Sequence, residues 1–470
     1  MPFGISIDLS FWNTFLSLPS DQQSNALFAI VGWAILILVF FYMGAELWVK
    51  YREALYAKKW KWVLLAVDVP ADEIQSPKAV EQIFAQLSGA NVNANFGEKY
   101  WKGMKQKWFS LEIISIEGYI QFLIYTESQF RDLVEATIYA QYPRTEITEV
   151  EDYVSNIPDK FPNDIDDVHV VEYGLANSDP FPIRTYSEFE HSVTMDFTFN
   201  DPMAAILENF TRIGAGENLW FQIIILPTSD DWKKEGIKIV KDIVAQKKPA
   251  AKTSVFSFLG SIPLAIFSEF WNHVTMSFPE DAAKDKKKEV APGKVSELTP
   301  GVKDTVASIE SKISKVGFRA KIRAVYGARK EVFNPSKCIQ GLTGSLNQFN
   351  FAGRNAIIPK MTTLIHYAFK NYRTKERKRR FVSAYKKRKI KVGRKPFILN
   401  VEELATLWHF PLPLVKTPLL QKTAAKRAEP PINLPTETFE SPLRKVGEAR
   451  AAPAEEPKNE EIPPEPLMYG

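Results

Sequence analysis

Residues 370–396 hold the densest group of side chains in this sequence that could bind a charged partner. The stretch KNYRTKERKRRFVSAYKKRKIKVGRKP carries fourteen lysines and arginines against one glutamate, with three aromatic residues between them. Like charges at this density repel one another unless a partner neutralises them. The candidate binding residues are Lys370, Arg373, Lys375, Arg377, Lys378, Arg379, Arg380, Lys386, Lys387, Arg388, Lys389, Lys391, Arg394 and Lys395.

Three kinds of partner fit this stretch. Nucleic acid fits because the cations would neutralise phosphates and the rings of Tyr372, Phe381 and Tyr385 could stack on single-stranded bases. An anionic membrane surface fits at about 1 kcal/mol per basic residue near the lipid. An acidic protein is the third partner, and a merely solvated helix face is the fourth interpretation. The residue types alone leave these alternatives open.

Catalytic and metal-binding patterns are absent from the sequence. It contains no G-x-x-x-x-G-K-[ST] loop, no H-E-x-x-H pair and no G-x-S-x-G nucleophile turn. The five histidines are isolated from one another, and the single Cys338 excludes an intrachain disulfide and a multi-cysteine metal site. The acidic segments EVEDY and NDIDD are interpreted as solvated loop charge. We therefore expect no enzyme activity, no catalytic residue, no cofactor and no metal.

The stretch FILNVEELATLWHFPLPLVKTP, residues 397–418, places a histidine beside a tryptophan just after the basic residues. Asn400 and Glu403 have the spacing of a helix-capping box, and the apolar residues that follow share one helix face. Pro411 ends the predicted helix. His409 has no acidic or nucleophilic partner nearby in the sequence. We therefore predict a docking helix at the end of the folded body rather than a catalytic site.

An apolar stretch near the N-terminus predicts a membrane anchor. Residues 26–45 carry no charge, and about 20 such residues in a helix cross the hydrocarbon core. A cleaved signal peptide and a buried core helix fit less well, because no basic region precedes the stretch and it has no polar face. No lysine or arginine precedes Lys50, and five occur between residues 50 and 61. The positive-inside rule then predicts a single-pass helix at 26–49 in the inner (cytoplasmic) membrane, with residues 1–25 outside and the rest in the cytoplasm.

Two α/β units are predicted after the anchor, which gives an α+β fold class. Residues 60–152 alternate as strand, helix, two strands joined at Glu117-Gly118, helix and strand, the βαββαβ order of a ferredoxin-like unit. Residues 165–247 and 300–415 repeat this order loosely, as a second unit interrupted in its first helix. The interruption, 248–299, contains an amphipathic segment at 254–274 that is compatible with inner-leaflet contact, followed by a charged linker. Residues 416–470, rich in proline and glutamate, are predicted to be disordered.

Several motifs resemble a family of uncharacterised membrane proteins encoded in the genomes of bacterial candidate phyla. The motifs are IYAQYPRTEITEVEDY, DPFPIRTY, WFQIIILPTSDDWKKEG, FILNVEELATLWHFPLPLVKTP and AEPPINLP, and the resemblance covers most of residues 25–435. In that family, a region of this kind precedes the coupling-protein ATPase of type IV secretion or conjugation systems. Here a proline-rich stretch follows the last motif where the ATPase is expected. The resemblance implies no catalytic residue, and it implies a motor ATPase as a protein partner.

The leading functional hypothesis is a membrane-anchored, non-enzymatic assembly or accessory component of such a translocation system. The alternative is a membrane-tethered nucleic-acid-binding protein that uses residues 370–396. Oligomer formation is compatible with both.

Overall fold

The computed structural model describes residue 17 and residues 19–411, apart from 71–72, 74, 93, 192–197, 200, 246–298 and 366–368. The predicted amphipathic segment at 254–274 and the predicted disordered tail lie outside the described residues. The fold is a mixture of helices and strands, as the sequence predicts.

Helix α1, Ser20–Ala57, contains the predicted anchor. Its part from Val31 to Ala57 is long and apolar enough to cross a membrane. The most apolar stretch of this part is not buried inside the protein. The helix begins before the predicted span and continues beyond its predicted end at residue 49. Only four residues separate Ala57 from the first strand of the folded body, which starts at Trp62.

The first half of the body has the predicted order of strands and helices. Its elements are β1 Trp62–Asp68, α2 Pro77–Leu87, β2 Phe109–Ile116, β3 Tyr119–Glu127, α3 Arg131–Gln141 and β4 Glu146–Val150. The strands lie in the order β4–β1–β3–β2, and each neighbouring pair is antiparallel. The predicted turn between β2 and β3 is confirmed: Glu117 and Gly118 both have positive φ, at 53° and 97°.

The second half adds strands on the far side of β2. Its elements are β5 Asp166–Leu175, the two-residue strands β6 Glu190–His191 and β7 Thr198–Phe199, α4 Pro202–Thr211, β8 Glu217–Pro227, α5 Asp231–Val244, α6 Pro300–Ser314, β9 Gly317–Arg329, α7 Gly341–Leu346, β10 Ile357–Thr362, α8 Lys370–Lys386, β11 Phe397–Asn400 and α9 Val401–Leu407. Its four long strands lie in the order β10–β5–β9–β8, and β11 pairs with the start of β9.

The two halves share one nine-stranded sheet, because β8 pairs directly with the whole length of β2, from Phe109↔Ile225 to Ile116↔Asn218. The inserted residues 228–316 lie between β8 and β9, which also pair with each other. The insertion therefore takes the place of a hairpin turn in the second half. The predicted interruption, 248–299, falls between the two helices of this insertion, α5 and α6.

The faces of the sheet have different covers. Apolar side chains of α2, α3, α4, α7 and α9 bury one face in a core that extends across both halves. The other face is covered by residues 153–161 and by α8, which contributes Phe381, Val382 and Tyr385. The segment with the highest positive charge is therefore part of the folded body.

Helix α9 confirms the predicted docking helix. Asn400 and Glu403 form the complete capping box, and Glu403 also pairs with Lys312 at 3.0 Å, with both side chains fully buried. Trp408 is 1 % exposed and its ring contacts Phe84 and Phe122 of the first half. The end of the second half is thereby fixed against the first.

Candidate functional site

The predicted binding residues belong to two adjoining elements. Eight lie on α8, here called the basic helix, and six lie in residues 387–396, here called the basic loop. Carboxylates bind five of the cations inside the chain: Lys378 with Asp167 at 2.6 Å, Arg379 with Glu376 at 2.8 Å, Lys386 with Asp159 at 2.5 Å, Arg388 with Glu112 at 2.9 Å, and Lys391 with Glu53 at 4.0 Å.

Arg388 lies inside the protein and does not belong to an exposed binding surface. Its side chain is 1 % exposed. The guanidinium donates hydrogen bonds to both carboxylate oxygens of Glu112 and to both of Asp152, and it lies 3.8 Å from the centre of the Tyr125 ring. Lys378 is buried as well. The prediction that Arg388 and Lys378 bind an external partner is therefore corrected, because a buried cation with close carboxylate partners is not available to a phosphate.

The environment of Glu112 favours its charged form. Burial raises the pKa of this carboxyl, but the charge of Arg388 and hydrogen bonds from Arg388, Ser110 and Gln222 outweigh burial and hold the pKa below its usual value. The Tyr153 hydroxyl donates to the second carboxylate oxygen at 2.9 Å. The pair is therefore an ionised, hydrogen-bonded one in the interior.

Glu112 begins a row of polar residues that crosses four strands at one level. Glu112 lies opposite Gln222 of β8, and Gln222 lies opposite Arg323 of β9. Arg323 in turn lies opposite Glu172 of β5. All four side chains are at most 1 % exposed. The row lies on the sheet face that the basic helix and the basic loop cover. Glu112 compensates Arg388 of the basic loop, and Glu172 compensates Lys321 and Arg323 of β9.

The main chain of the basic loop is held by two cations of β9. Arg323 donates to the carbonyls of Lys389 and Val392 at 2.7 and 2.8 Å. Lys321 donates to the carbonyls of Val392 and Arg394. The carbonyls of the loop thus face these buried cations, and the side chains of Lys389 and Arg394 are exposed.

Glu172 of β5 also holds the basic loop, and together with Lys321 and Arg323 it is here called the clamp. It accepts from the backbone N–H of Arg394 and pairs with both Lys321 and Arg323. Burial lowers the pKa of Lys321 to about 8, although the charge of Glu172 opposes this. Gly393 has φ +92°, and a Cβ there would lie 2.3 Å from a Glu172 oxygen, so the loop passes the carboxylate where only glycine fits.

The ten exposed cations of the basic helix and the basic loop form the exposed basic surface, whereas Arg377 and Lys386 are half-buried. Its members are Lys370, Arg373, Lys375, Arg379, Arg380, Lys387, Lys389, Lys391, Arg394 and Lys395. Part of the basic helix also lines an open cavity of about 650 Å³, where Arg373, Arg377 and Arg380 lie above an apolar floor. Phe369 and Tyr372, which are 78 % and 75 % exposed, lie at the same cavity. This arrangement can bind an anionic group and an apolar or aromatic one side by side.

The residues that hold this surface were missed from the sequence. Glu112 is the single charge in the strand FSLEIISI, whereas Glu172 in DDVHVVEYGL and both Lys321 and Arg323 in GFRAKIRAVYGAR share their strands with other charged residues. A charge on the inward side of a buried strand needs a partner, which is the signal that could have identified them. The partners are distant in sequence, and no spacing rule connects them.

The histidines of the described residues give no catalytic arrangement. His409 has no acidic partner nearby in the sequence, but the fold brings its Nε2 to within 2.9 Å of Asp201. Its Nδ1 lies 2.7 Å from the Ala405 carbonyl, so both ring nitrogens face oxygen atoms of the protein. Asp201 also caps α4 by accepting from the Met203 N–H. The pair thus joins α9 to α4 in the core.

Within the described part of the chain, no group of three or more histidine, cysteine, aspartate or glutamate side chains could hold a metal ion. None of the curated proteins compared with the sequence matches it. A family model described as Domain of unknown function (DUF8128) matches residues 41–423, which include the end of α1, the whole described body and the basic surface. The chain therefore belongs to the DUF8128 family.

Proposed function

We propose that this chain is a membrane-anchored, non-enzymatic assembly or accessory component of a type IV secretion or conjugation-like translocation system. The observation that carries the proposal is the clamped basic surface on a body that follows the anchor helix after four residues. Such a body presents exposed cations at a fixed distance from a bilayer, which suits the binding of a partner at the membrane. The motifs that resemble the region before a coupling-protein ATPase support a motor as that partner.

The two halves of the body are proposed to be ferredoxin-like units. The strand orders β4–β1–β3–β2 and β10–β5–β9–β8 support this, because each corresponds to the order fourth, first, third, second within its half. In each half a helix also connects the first strand to the second, α2 in one and α4 in the other. The units would be joined through their second strands into one continuous sheet, and the basic helix and the basic loop would cover one face of it.

The anchor is proposed to cross the inner membrane with residues 1–25 outside. The charge difference across α1 supports this orientation, because the cations begin at Lys50. A topology reporter fused after residue 60 tests it. Activity of a cytoplasmic reporter at this position is expected, and activity of a periplasmic reporter there would reverse the orientation.

Affinity capture of the full chain from native membranes tests the assembly role. A hexameric ATPase is expected among the captured proteins, and its recovery should fall when exposed cations of the basic surface are replaced by glutamine. A matched variant, with glutamine at Lys234, Lys238 and Lys241 of α5, controls for loss of charge elsewhere. Repeated capture without any ATPase, from membranes in which the chain is intact, would refute the assembly role.

A membrane-tethered nucleic-acid-binding protein is the second candidate function. The observation that favours it is the cavity at the basic helix, where the exposed rings of Phe369 and Tyr372 lie beside Arg373 and Arg380. Aromatic rings beside cations are the usual arrangement for binding single-stranded nucleic acid. Binding of single-stranded DNA at low ionic strength that weakens as salt rises would support this candidate, and no binding at low ionic strength would reject it.

A further inference from the structure

Residues 95–105 lie directly against the end of the anchor helix. Gly103 has φ +70°, and a Cβ there would lie 2.3 Å from the carbonyl carbon and oxygen of Arg52. The Arg52 side chain donates through Nε to the Trp101 carbonyl at 2.5 Å. The backbone of this segment therefore touches the backbone of α1, and a glycine makes the close approach feasible.

The segment exposes large aromatic side chains beside the predicted span. Trp101 and Phe96 are 68 % and 62 % exposed. The Trp101 ring lies 6.1 Å from that of Trp48, one helical turn nearer the apolar stretch than Arg52. Exposed Lys99 and Lys102 accompany these rings. Aromatic rings with neighbouring lysines are typical of the layer where lipid headgroups meet water.

The basic loop reaches the same end of the helix from the other half of the body. The Lys391 ammonium lies 4.0 Å from the Glu53 carboxylate, and Lys105 lies 3.9 Å from the same oxygen. Glu53 is four residues beyond residue 49, the predicted end of the span, or about 6 Å at the rise of an α-helix. That distance is shorter than the Debye length of about 8 Å at physiological ionic strength. Anionic headgroups would attract the cations of the basic loop at this depth.

We infer that residues 95–105 and the basic loop together form a second membrane contact, which binds the anionic headgroups of the leaflet around the residue-50 end of α1. The inference rests on the proposed anchor and goes beyond it, because it fixes the orientation of the body on the bilayer. Continuity with the anchor favours lipid over nucleic acid for this part of the basic surface. A nucleic acid in this position would lie against a membrane of its own charge.

Labelling at single introduced cysteines tests the contact on the full chain. Cys338 is the sole natural cysteine, it is buried, and burial raises the pKa of its thiol to about 11, so it serves as an unreactive background. A fluorophore is attached at Lys102→Cys or Lys391→Cys. Ala136→Cys is the matched control, because it is exposed on α3, which covers the opposite face of the sheet.

The labelled chains are reconstituted into vesicles of phosphatidylcholine alone or with phosphatidylglycerol, and shallow lipid-borne quenchers are compared with aqueous iodide. We expect lipid quenching at Lys102→Cys and Lys391→Cys, stronger with phosphatidylglycerol, and iodide quenching at Ala136→Cys. Equal iodide quenching at all three positions would overturn the contact, and equal lipid quenching in both vesicles would overturn the assignment to anionic lipid. Protection of the labels by added single-stranded DNA but not by lipid would also overturn it.

Resistance of the same samples to carbonate extraction separates the two proposals. If the chain stays in the vesicles but shows no lipid quenching at residues 102 and 391, the proposed anchor is supported and the second contact is overturned. Extraction of the chain would overturn the proposed anchor and, with it, the second membrane contact.

Discussion

Arg388 and Glu112 form a two-pronged ion pair inside the protein, with hydrogen bonds of 2.9 and 3.1 Å. Arg388 belongs to the basic loop of the second half, and Glu112 belongs to β2 of the first. The pair therefore joins the most basic segment of the chain to the strand at which the two halves meet. It also explains how so many cations fold onto one sheet face, since the face itself provides buried carboxylates.

Replacement of Arg388 by methionine is expected to destabilise the protein by about 3–5 kcal/mol, because it leaves the Glu112 charge buried without its partner. The measurement is urea unfolding of the full chain in detergent, followed by circular dichroism. Lys387→Met is the control, since Lys387 is exposed and its loss should change stability by no more than about 0.5 kcal/mol. Equal midpoints for both variants would contradict a structural role for the pair.

Local features of the fold could be predicted from the sequence where the signal lies within a few residues. The capping box at Asn400 and Glu403, the turn at Glu117-Gly118 and the long apolar helix α1 all have this character. Each depends on backbone rules that act over one turn of chain. The order of elements in the first half follows from the same kind of signal.

The arrangement of the basic residues could not be predicted in this way. Their partners Glu112, Asp152 and Glu172 lie between 200 and 300 residues away in the sequence, and only the pairing of β2, β8, β9 and β5 brings them together. Charge density in one dimension does not distinguish a solvated lysine from a buried arginine. The same limit hid the contact between His409 and Asp201.

Gly393→Ala is expected to release the basic loop from its clamp. The change forces a Cβ into the left-handed region, which costs about 1–2 kcal/mol, and it also displaces the Glu172 carboxylate. Gly353→Ala provides a matched control, because Gly353 has a similar φ of +84° with no atom within 4 Å of its Cβ position. Urea unfolding should show a greater loss of stability for Gly393→Ala, by about 1–3 kcal/mol for the disturbed buried charges. Equal losses would mean that Glu172 does not hold the loop.

The buried His169 is expected to make the stability of the protein sensitive to acid. Burial, with the nearby Lys378 charge, lowers the pKa of His169 to about 4. Between about pH 6.5 and pH 4 the unfolded chain binds a proton that the folded protein does not, so stability falls as pH falls through this window, by roughly 3 kcal/mol at most.

His169→Gln should show a shallower loss of stability between pH 6.5 and pH 4 than the natural protein, since glutamine can still bond to Thr363 but does not titrate. Unfolding free energies measured across that window test this. Above pH 7 the two proteins should have parallel pH profiles. Parallel profiles below pH 6.5 as well would show that His169 is not the responsible group.

The exposed cations of the basic helix decide the nucleic-acid alternative. Replacement of Lys370, Lys375 and Arg380 by glutamine removes three charges at the exposed surface without touching the buried pairs. If these cations contact phosphates of single-stranded DNA, the slope of log K against log salt should become shallower by about 2, which is 0.7 for each contact. The triple glutamine variant of α5 at Lys234, Lys238 and Lys241 carries the same loss of charge. Fluorescence anisotropy at several salt concentrations measures both slopes, and an equal change in the α5 variant would show that DNA responds only to net charge.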